Sequence, residues 1–494
     1  MSEVPALRIQ KANEKSPAPK GDFVLYWMIA QRRLSHNFGL DRAVEWCVKL
    51  QKPLVVLEAL RVDYPWASDR LHAFVIAGMR EKQNQKNLPC AYYPYVEPQE
   101  GAGKGLLAAL AKNACIVITD EFPCFFLPAM VTAAAQKINV LLETVDGNGL
   151  LPLRAAPQKF DTAYAFRRFL QKNLPAHLEN GPRPNAFKNF SLPKAIIPSE
   201  ILRTWPALDA SVEVRHLVTH LPIRHGVGVV DEPGGEAAAQ RRLQVFLQEA
   251  LPRYGTERSH PDAQAASGFS PYLHFGFLSV HDVFLQVAKK EKWGLENIGD
   301  KAQGKRQGWW GMSASSEAFL DEIITWREVG YQFAHQVENY DAFESLPAWA
   351  KKTLGEHAKD KREFLYSLQQ FEAAATHDVI WNAAQTELVQ TGKMQNYLRM
   401  LWGKKILEWT KSPEEALEVM IELNNKYALD GRNPNSYSGI FWVLGRFDRP
   451  WGPVRPVFGT IRFMSSKMTL QKLKMQKYLN TFGREKPCNQ STLF

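Results

Sequence analysis

Polar and aromatic side chains recur along one face of a predicted helix between residues 393 and 411. Asn396, Arg399, Trp402, Ile406 and Trp409 follow one another in three- and four-residue steps, so a carboxamide, a guanidinium and two indoles share one stripe. A typical buried helix face carries Leu, Ile and Ala instead. The two indoles are about two turns, or roughly 10 Å, apart along the axis, and an electron can hop between them. The stripe is unusual for a core and suits electron transfer.

An arginine on such a stripe needs an acceptor if it is buried, because an unpaired buried charge is costly. Asp430, in the segment LNNKYALDGRNPN, is the candidate partner of Arg399. The chain from Trp381 to the stripe contains no proline and one glycine, Gly392. This pattern predicts two helices that join near Thr391 and Gly392.

Five sequence blocks in this region resemble those of a known family. The stretch 381–442 is similar to the flavin-binding helical domain of the DNA photolyase and cryptochrome family. The blocks WNAAQ, TGKM, YLRM, LNNKYALDGRNPN and RPVFGTIR together resemble the class II cyclobutane pyrimidine dimer photolyases. A weaker likeness continues upstream through SGFSPYLHFG and NYDAFESLPAWAKKTL, so the resemblance covers most of the chain beyond about residue 225.

The resemblance implies an enzyme of the deoxyribodipyrimidine photo-lyase type that repairs UV-damaged DNA. Photoexcited reduced FAD would donate an electron to a flipped-out pyrimidine dimer, the cyclobutane ring would split, and the electron would return. The resemblance also implies a tryptophan relay that reduces the flavin under light, with Trp402 nearest the flavin, then Trp381, then Trp409. A single tryptophan in SYSGIFW, Trp442, departs from the class I relay and favours class II.

Several residues match the family's flavin site. Ser267 and Ser270 precede a predicted helix, where free backbone amides favour an anion such as the flavin diphosphate, although a simple N-cap is the alternative for both. Arg399 and Asp430 resemble the salt-bridged pair beside the isoalloxazine. Asn424 resembles the amide that faces the central ring, with a helix-capping amide as its alternative. The resemblance implies these cofactor-binding residues: Tyr254, Ser267, Gly268, Phe269, Ser270, Leu273, Asn396, Arg399, Asn424 and Asp430.

The lesion pocket is predicted to lie between two tryptophans. An amphipathic helix over 316–333 carries Glu322 and Trp326 one turn apart, and the resemblance implies that Glu322 bonds the damaged bases while Trp326 packs against them. Trp442 would form the opposing wall, although a single tryptophan is more often a core residue. Three basic residues are predicted to hold the DNA phosphates around the lesion, namely Arg449, Arg455 and Arg462.

The N-terminal part alternates short apolar strands with helical stretches. Strands are predicted at 23–29, 54–58, 91–95, 115–119 and 140–143, with helices near 40–50, 69–87, 104–112 and 126–137. This alternation is typical of a Rossmann-like, doubly wound parallel sheet. The glycine run GAGKG at 101–105 could cradle a phosphate, although a flexible loop suits it better. In the family this domain can hold an antenna chromophore of deazaflavin or folate type, which the sequence does not identify.

The predicted organisation has five parts. They are a disordered tail (1–21), an α/β antenna-type domain (22–150), an extended linker that holds ten of the thirty prolines (151–235), an all-α domain that binds FAD and DNA (236–480), and a C-terminal tail (481–494).

Net charge and cysteine content indicate which partners and which cellular compartment to expect. The net charge is +10, and residues 441–494 contribute ten Lys and Arg against two Asp and Glu, which indicates a polyanionic partner such as DNA or, alternatively, a solvated tail. Five cysteines form no CxxC pair, so neither a metal site nor a disulfide framework is expected. Without a signal peptide or a long apolar run, we expect a cytoplasmic monomer, associated with the nucleoid if the source is bacterial.

The sequence leaves two further questions open. The last five residues, Gln490 to Phe494, resemble peptides that dock onto the bacterial sliding clamp, with a tail of no specific function as the alternative. For the whole chain, a cryptochrome-like blue-light photoreceptor is the alternative to a repair enzyme. A DNA-binding protein without flavin is a third reading, disfavoured because its polar flavin residues would then be costly in a helical core.

Overall fold

A six-stranded sheet forms the N-terminal part of the protein in a computed structural model that describes residues 3–483. Its order is β1-β6-β5-β2-β3-β4, with β1 antiparallel to β6 and the other neighbouring strands parallel. The strands are β1 (Ile9–Lys11), β2 (Phe23–Trp27), β3 (Leu54–Leu60), β4 (Ala91–Val96), β5 (Ala114–Glu121) and β6 (Leu142–Asp146). The prediction of a mostly parallel, doubly wound sheet is therefore confirmed.

The prediction of a disordered tail over residues 1–21 is wrong for β1. Ile9 to Lys11 pair with Glu143 to Val145 and add an edge strand to the sheet. Arg8, just before this strand, is buried and donates from Nη2 to the carbonyl of Leu150 at 2.7 Å. The polar composition of this segment concealed a strand that is held by its backbone pairing and by one buried arginine.

Four helices cover the sheet in the places that periodicity predicted. They are α1 (Phe38–Leu50), α2 (Asp69–Gln83), α3 (Leu106–Lys112) and α4 (Leu127–Lys137). The glycine run forms a turn that leads into α3, and the backbone N–H of Gly103 donates to Glu97 Oε1 at 2.9 Å. The Glu97 carboxylate therefore already binds one backbone N–H of this turn that a phosphate would need.

The segment 151–235, predicted to be an extended linker, contains short helices as well as long irregular stretches. Its helices are α5 (Ala163–Asn173), α6 (Pro175–Leu178), α7 (Ser199–Thr204) and α8 (Val214–Val218). On α5, Phe166 and Leu170 are buried, and Arg167 makes two hydrogen bonds to Asp321, at 2.6 and 3.0 Å. Proline is tolerated here because it lies between helices or at a first turn, as Pro175 does in α6.

The remainder of the described chain is helical. Its helices are α9 (Glu236–Val245), α10 (Tyr254–Glu257), α11 (Ser270–His274), α12 (Val280–Glu291), α13 (Ala314–Leu320), α14 (Arg327–Gln336), α15 (Ala348–Glu356), α16 (Leu368–Glu372), α17 (Val379–Thr391), α18 (Asn396–Trp409), α19 (Pro413–Tyr427), α20 (Pro434–Val443), α21 (Ser466–Lys472) and α22 (Gln476–Phe482). π-helical turns, Phe246–Ala250 and Asp321–Trp326, follow α9 and α13. As predicted, α17 ends at Thr391, and Gly392 follows it in the left-handed conformation. No helix among residues 3–483 is long and apolar enough to cross a bilayer.

The carboxyl edge of the sheet is closed by polar groups. Asp120, at the end of β5, accepts hydrogen bonds from the backbone N–H groups of residues 29–31 at 2.8 to 2.9 Å. Arg33 then reaches into the helical part and donates to the carbonyl of Gly276 at 2.9 Å. The loop after β2 is thereby fixed on both sides, and it connects the sheet to the helices.

A buried carboxylate on α14 also ties the helical part to the sheet. Glu328 accepts from the backbone N–H groups of Leu150 and Leu151 at 2.6 and 3.1 Å, and its neighbour Arg327 donates to the carbonyl of Asn148. Burial raises the pKa of Glu328 to about 7, although Arg327 and the two amides oppose the rise. The charged form of Glu328 is therefore disfavoured in the folded protein.

We expect this carboxyl to make stability depend on pH. Because the folded pKa lies above the unfolded one, the folded state binds more protons between about pH 4.5 and 7, and the contribution of Glu328 to the free energy of unfolding falls as pH rises through that window. The total change is about 3 kcal/mol. Measured by urea unfolding, the stability of wild type relative to Glu328→Gln should therefore be highest near pH 5 and lowest near pH 8. A stability difference that is constant across this range would contradict the burial argument.

Candidate functional site

A large cavity lies within the helical part of the protein. It has a volume of about 1570 Å³ and is enclosed by α10, α11, the segment from α13 to α14, the helices α17 to α22 and the loop 451–464. Its lining carries ten Lys and Arg side chains against five Asp and Glu, so the cavity attracts anions. A volume above the usual range of about 300–1,000 Å³ for one small ligand leaves room for an extended cofactor and a second group.

All ten predicted cofactor residues line this one cavity. They come from four separate parts of the chain: α10, the segment 267–273, α18, and the end of α19 with the loop that follows it. The sequence blocks predicted that these residues act together, and the fold brings them into one space.

An arginine binds the backbone of the turn before α11. Arg242 on α9 donates from Nε to the carbonyl of Ser267 at 2.7 Å and from Nη2 to that of Ala266 at 3.0 Å. Gly268 has a φ of +70°, and a Cβ there would lie 2.8 Å from the Arg242 guanidinium. The turn therefore requires glycine for its backbone conformation and for its packing.

The two serines of this turn do not cap the helix. Phe269 is the N-cap of α11, and its side chain forms no capping hydrogen bond. Among the described residues, neither the Ser267 nor the Ser270 hydroxyl makes a protein hydrogen bond. The capping alternative is therefore not supported, and both hydroxyls remain available to a ligand.

Arg399 and Asp430 form the predicted ion pair. Arg399 Nη1 lies 3.1 Å from Asp430 Oδ1 and 3.2 Å from Oδ2, and Nη2 lies 3.1 Å from Oδ1. The side chains keep 18% and 12% of their exposure, so both groups are partly open to the cavity. Ser436 fixes the backbone of Asp430 by donating to its carbonyl at 2.7 Å. The pair presents opposite charges at one wall.

Asn424 faces the cavity, while its neighbour has the structural role. The Asn425 side chain donates to Tyr437 Oη at 3.1 Å and accepts from the backbone N–H of Arg432 at 2.8 Å. Among the described residues, the Asn424 side chain makes one long hydrogen bond of 3.4 Å, to Asn425. The carboxamide of Asn424 is therefore free to bind a ligand, and Asn425 organises the loop after α19.

Three tryptophans form a continuous chain from the cavity into the protein. Trp402 lines the cavity, and its ring is parallel to that of Trp381 with centroids 6.4 Å apart. Trp409 follows, 6.1 Å from Trp381. Trp402 Nε1 donates to Gln385 Oε1 at 2.9 Å, and Trp381 Nε1 donates to the carbonyl of Trp402 at 3.0 Å. In space Trp381 therefore lies between Trp402 and Trp409.

The outer end of this chain is not at the surface. Trp409 is only 3% exposed, because the rings of Tyr366 and His377 cover it at 5.6 and 5.0 Å. Tyr366 Oη and His377 Nδ1 are 2.7 Å apart. No sequence pattern predicted this pair, which lies far from the stripe along the chain.

The predicted helix over 316–333 is interrupted by a π-helical turn at Asp321–Trp326, between α13 and α14. The hydrogen bonds of a π turn join residues five apart instead of four. Glu322 and Arg327 line the cavity, whereas Trp326 is not among the described lining residues. The prediction of one continuous regular helix is therefore wrong, and the position of Glu322 and Trp326 in one lesion pocket stays a prediction. A π turn leaves no clear mark in the sequence.

Glu322 is paired with Arg258, which no sequence pattern predicted. Arg258 Nη1 donates to Glu322 Oε1 at 2.6 Å. Burial raises the pKa of Glu322, and the Arg258 charge partly opposes this rise. The carboxyl is thus shifted toward its protonated form, in which it can donate a hydrogen bond as well as accept one.

The opposite wall alternates cations with indoles. Trp442, Arg455 and Arg462 line the cavity, together with Trp451, which was not predicted. The Arg462 guanidinium lies 3.8 Å from the Trp451 ring centroid and 5.7 Å from that of Trp442. Arg449 is exposed and stacks on Trp451 at 4.4 Å without lining the cavity. Two of the three predicted DNA-contacting arginines thus reach this space.

The chain is similar along its whole length to curated enzymes. No protein-family model matches it. Deoxyribodipyrimidine photo-lyase of Methanothermobacter thermautotrophicus is 32% identical, with 96% of this chain and 98% of the relative covered. The corresponding figures are 31%, 92% and 88% for the enzyme of Arabidopsis thaliana, and 32%, 89% and 77% for that of Potorous tridactylus.

Solved structures share the fold at low sequence identity. A bacterial class III photolyase from Agrobacterium tumefaciens has a TM-score of 0.67 at 17% identity, covering 94% of this chain and 86% of the other. An archaeal photolyase from Sulfolobus tokodaii, described with two FAD molecules, has a TM-score of 0.64 at 14% identity, covering 93% and 90%. Both likenesses concern the fold.

The turn around Gly268 leads to a stability prediction. Gly268→Ala places a side chain at positive φ and against Arg242, so we expect it to lower the free energy of unfolding by about 1–2 kcal/mol. Gly228→Ala is the matched control, since a Cβ at Gly228 meets nothing within 4 Å. Urea unfolding should show a lower free energy of unfolding for Gly268→Ala and an unchanged one for Gly228→Ala. Equal midpoints for both variants would show that the turn tolerates a side chain.

Proposed function

The chain belongs to the photolyase and cryptochrome family and is an enzyme of the deoxyribodipyrimidine photo-lyase type; we propose that it splits cyclobutane pyrimidine dimers in DNA under light, as a class II enzyme. The observation that carries the proposal is the shared cavity. Ten residues suited to a flavin, Glu322, Trp442 and two basic residues suited to damaged DNA line one space. The class II assignment rests on the sequence blocks around Trp381 to Trp442.

The cavity residues fit FAD by their chemistry. The free hydroxyls and the backbone of the turn 267–270 would hold the diphosphate, because the start of α11 leaves amides unpaired there. The Arg399 and Asp430 pair and the free carboxamide of Asn424 would bind the polar edge of the ring system. Asn396 and Tyr254 complete this set. Reduced FAD, when bound, supplies an electron to the dimer under light and takes it back.

The other residues of the cavity would bind the lesion. A flipped dimer has weakened base pairing, which lowers the cost of leaving the duplex. Arg449, Arg455 and Arg462 would hold the phosphates, and Trp442 would stack on the dimer. Glu322, with its pKa raised, would bond the base carbonyls, and Trp326 remains a predicted contact from outside the cavity lining.

The chain of tryptophans would restore the reduced flavin. Trp402, Trp381 and Trp409 are each about 6 Å from the next, and an electron can cross such gaps by short hops. Trp402 would donate to the flavin first because it lines the cavity. Because Trp409 is buried, an electron that reaches it from a reductant in solvent would pass the Tyr366 and His377 pair.

A second chromophore belongs to the same proposal. A deazaflavin or folate antenna in the N-terminal domain is expected from the family, and the Sulfolobus tokodaii photolyase is described with a second FAD. The protein would act as a monomer in the cytoplasm, near the nucleoid in a bacterium. Docking through Gln490 to Phe494 stays a hypothesis, because these residues lie outside the described part of the chain.

The assay that tests the function compares light with darkness. Protein reconstituted with FAD and chemically reduced should convert a duplex with one cyclobutane thymine dimer to intact thymines under blue light, and not in the dark. Chromatography of the strand measures the product. A protein that binds flavin and photoreduces it, yet leaves the dimer intact under light, would instead be a photoreceptor of the cryptochrome type. A protein that binds no flavin would refute both.

The tryptophan relay is tested by removing its middle member. Trp381→Phe should slow the photoreduction of oxidised flavin by an external reductant at least about tenfold, because a wider gap between Trp402 and Trp409 remains. Repair by chemically pre-reduced protein should be unchanged. Trp46→Phe, a buried tryptophan of the N-terminal domain, is the control and should photoreduce like wild type. Unchanged photoreduction in Trp381→Phe would exclude this route.

A further inference from the structure

A lysine with an unusual environment lies behind the cavity. Lys404 on α18 has no solvent exposure. Among the described residues, its ammonium donates one hydrogen bond, from Nζ to the carbonyl of Val443 at 2.5 Å, and makes no salt bridge. A buried ammonium with one acceptor and no carboxylate partner is costly, and such groups are rare where they serve only packing.

A close helix contact brings Lys404 to this position. The preceding residue is Gly403, and a Cβ there would lie 2.6 Å from a Val443 methyl group. The absence of a side chain thus lets α18 approach the end of α20. The carbonyl of Val443 belongs to the last turn of α20, where carbonyls lack helical partners and attract cations. Lys404 satisfies one of them from the neighbouring helix.

The ammonium also faces the indole of Trp442. Nζ lies 4.9 Å from its ring centroid, within the range of a cation–π interaction. Trp442 lines the cavity, whereas Lys404 is fully buried and is not among the described lining residues, so the lysine contacts the indole from within the protein. The nearby Asp448 is already engaged by Arg462, at 2.7 and 3.0 Å, and does not neutralise Lys404.

We propose that Lys404 is a positioning residue for lesion recognition, whose buried ammonium fixes the Trp442 indole and the end of α20 so that the other side of the indole can stack on a flipped dimer. This role rests on the proposed function of the cavity. It adds a residue that touches neither cofactor nor DNA and acts through Trp442. Arg462 is within 5.7 Å of the same indole on the cavity lining, so Trp442 lies in a field of positive charge.

The charge of Lys404 depends on pH near neutrality. Burial lowers the pKa of Lys404 to about 7, while Asp448 opposes the shift and Arg462 adds to it, so the ammonium form prevails below about pH 7. A methionine would fill the same volume without this desolvation cost, but it could neither bind the Val443 carbonyl nor attract the indole through its charge. The ammonium therefore provides two contacts that an apolar side chain of the same length lacks.

The test separates the lysine from the lesion wall by a double-mutant cycle. Wild type, Lys404→Met, Trp442→Leu and the double variant are loaded with FAD, and their Kd for a dimer-containing duplex and for undamaged duplex is measured at about pH 6, where Lys404 is charged, in the dark by fluorescence anisotropy. We expect Lys404→Met to weaken dimer binding about tenfold, with undamaged duplex changed less than about twofold. In the Trp442→Leu background the same change should add less than about twofold.

Kinetics and two further variants guard against a loss of fold. With flavin fully reduced before illumination, Lys404→Met should raise KM and leave kcat unchanged, whereas damage to the flavin site would lower kcat. Lys404→Gln, which can still donate to Val443 without a charge, should fall between wild type and the methionine variant. Lys405→Met, the adjacent lysine, which is paired with Glu408, should bind the dimer like wild type.

Three results would overturn the proposal. Dimer affinity within about twofold of wild type in Lys404→Met, while Trp442→Leu weakens it, would remove Lys404 from recognition and leave the lesion wall intact. A loss that persists undiminished in the Trp442→Leu background would show that the lysine does not act through the indole. If Trp442→Leu itself binds the dimer normally, the lesion wall and the role of Lys404 are both wrong.

Discussion

The regular geometry of helix α18 determines the positions of most residues of the candidate site. α18 is a regular helix from Asn396 to Trp409, so its successive side chains point about 100° apart. Asn396, Arg399 and Trp402 therefore face the cavity together. Lys404 is not among the described lining residues and contacts the Trp442 ring. The proposed flavin contacts Asn396 and Arg399, the first tryptophan of the proposed relay and the proposed support of Trp442 are thus all carried by a single rigid element. A change in the direction of α18 would move all of them at once.

Neighbouring elements complete what α18 begins. Gly392 ends α17 and turns the chain so that the two helices lie side by side, which places Trp381 against Trp402. Asp430 arrives from the loop after α19 and pairs with Arg399. Each of these contacts joins residues about 20 to 30 positions apart, so the local geometry of three helices suffices to build them.

Ion pairs and cation–indole contacts both occur around the cavity. Arg399 pairs with Asp430, and Arg258 pairs with Glu322. Near Trp442 the Arg462 guanidinium pairs with Asp448 and also lies against two indoles. Paired charges suit a site that must hold a polar ring system with defined orientation. The lining as a whole carries more Lys and Arg than Asp and Glu, and this excess positive charge suits a polyanion such as DNA.

The sequence by itself determined the parallel sheet and the two helices around Gly392, because local periodicity specifies them. Its blocks of adjacent residues, through their family resemblance, also predicted the cofactor residues that line one cavity and the order of the tryptophans. Only the tertiary structure decided that Ile9 to Lys11 form a strand, that a π turn interrupts the helix that carries Glu322 and Trp326, and that Trp409 is covered by Tyr366. It also decided that Arg258 reaches Glu322 and that Lys404 is buried beside Trp442. These outcomes depend on packing between residues distant in sequence or on a local change in helical hydrogen bonding, and neither leaves a periodic signal.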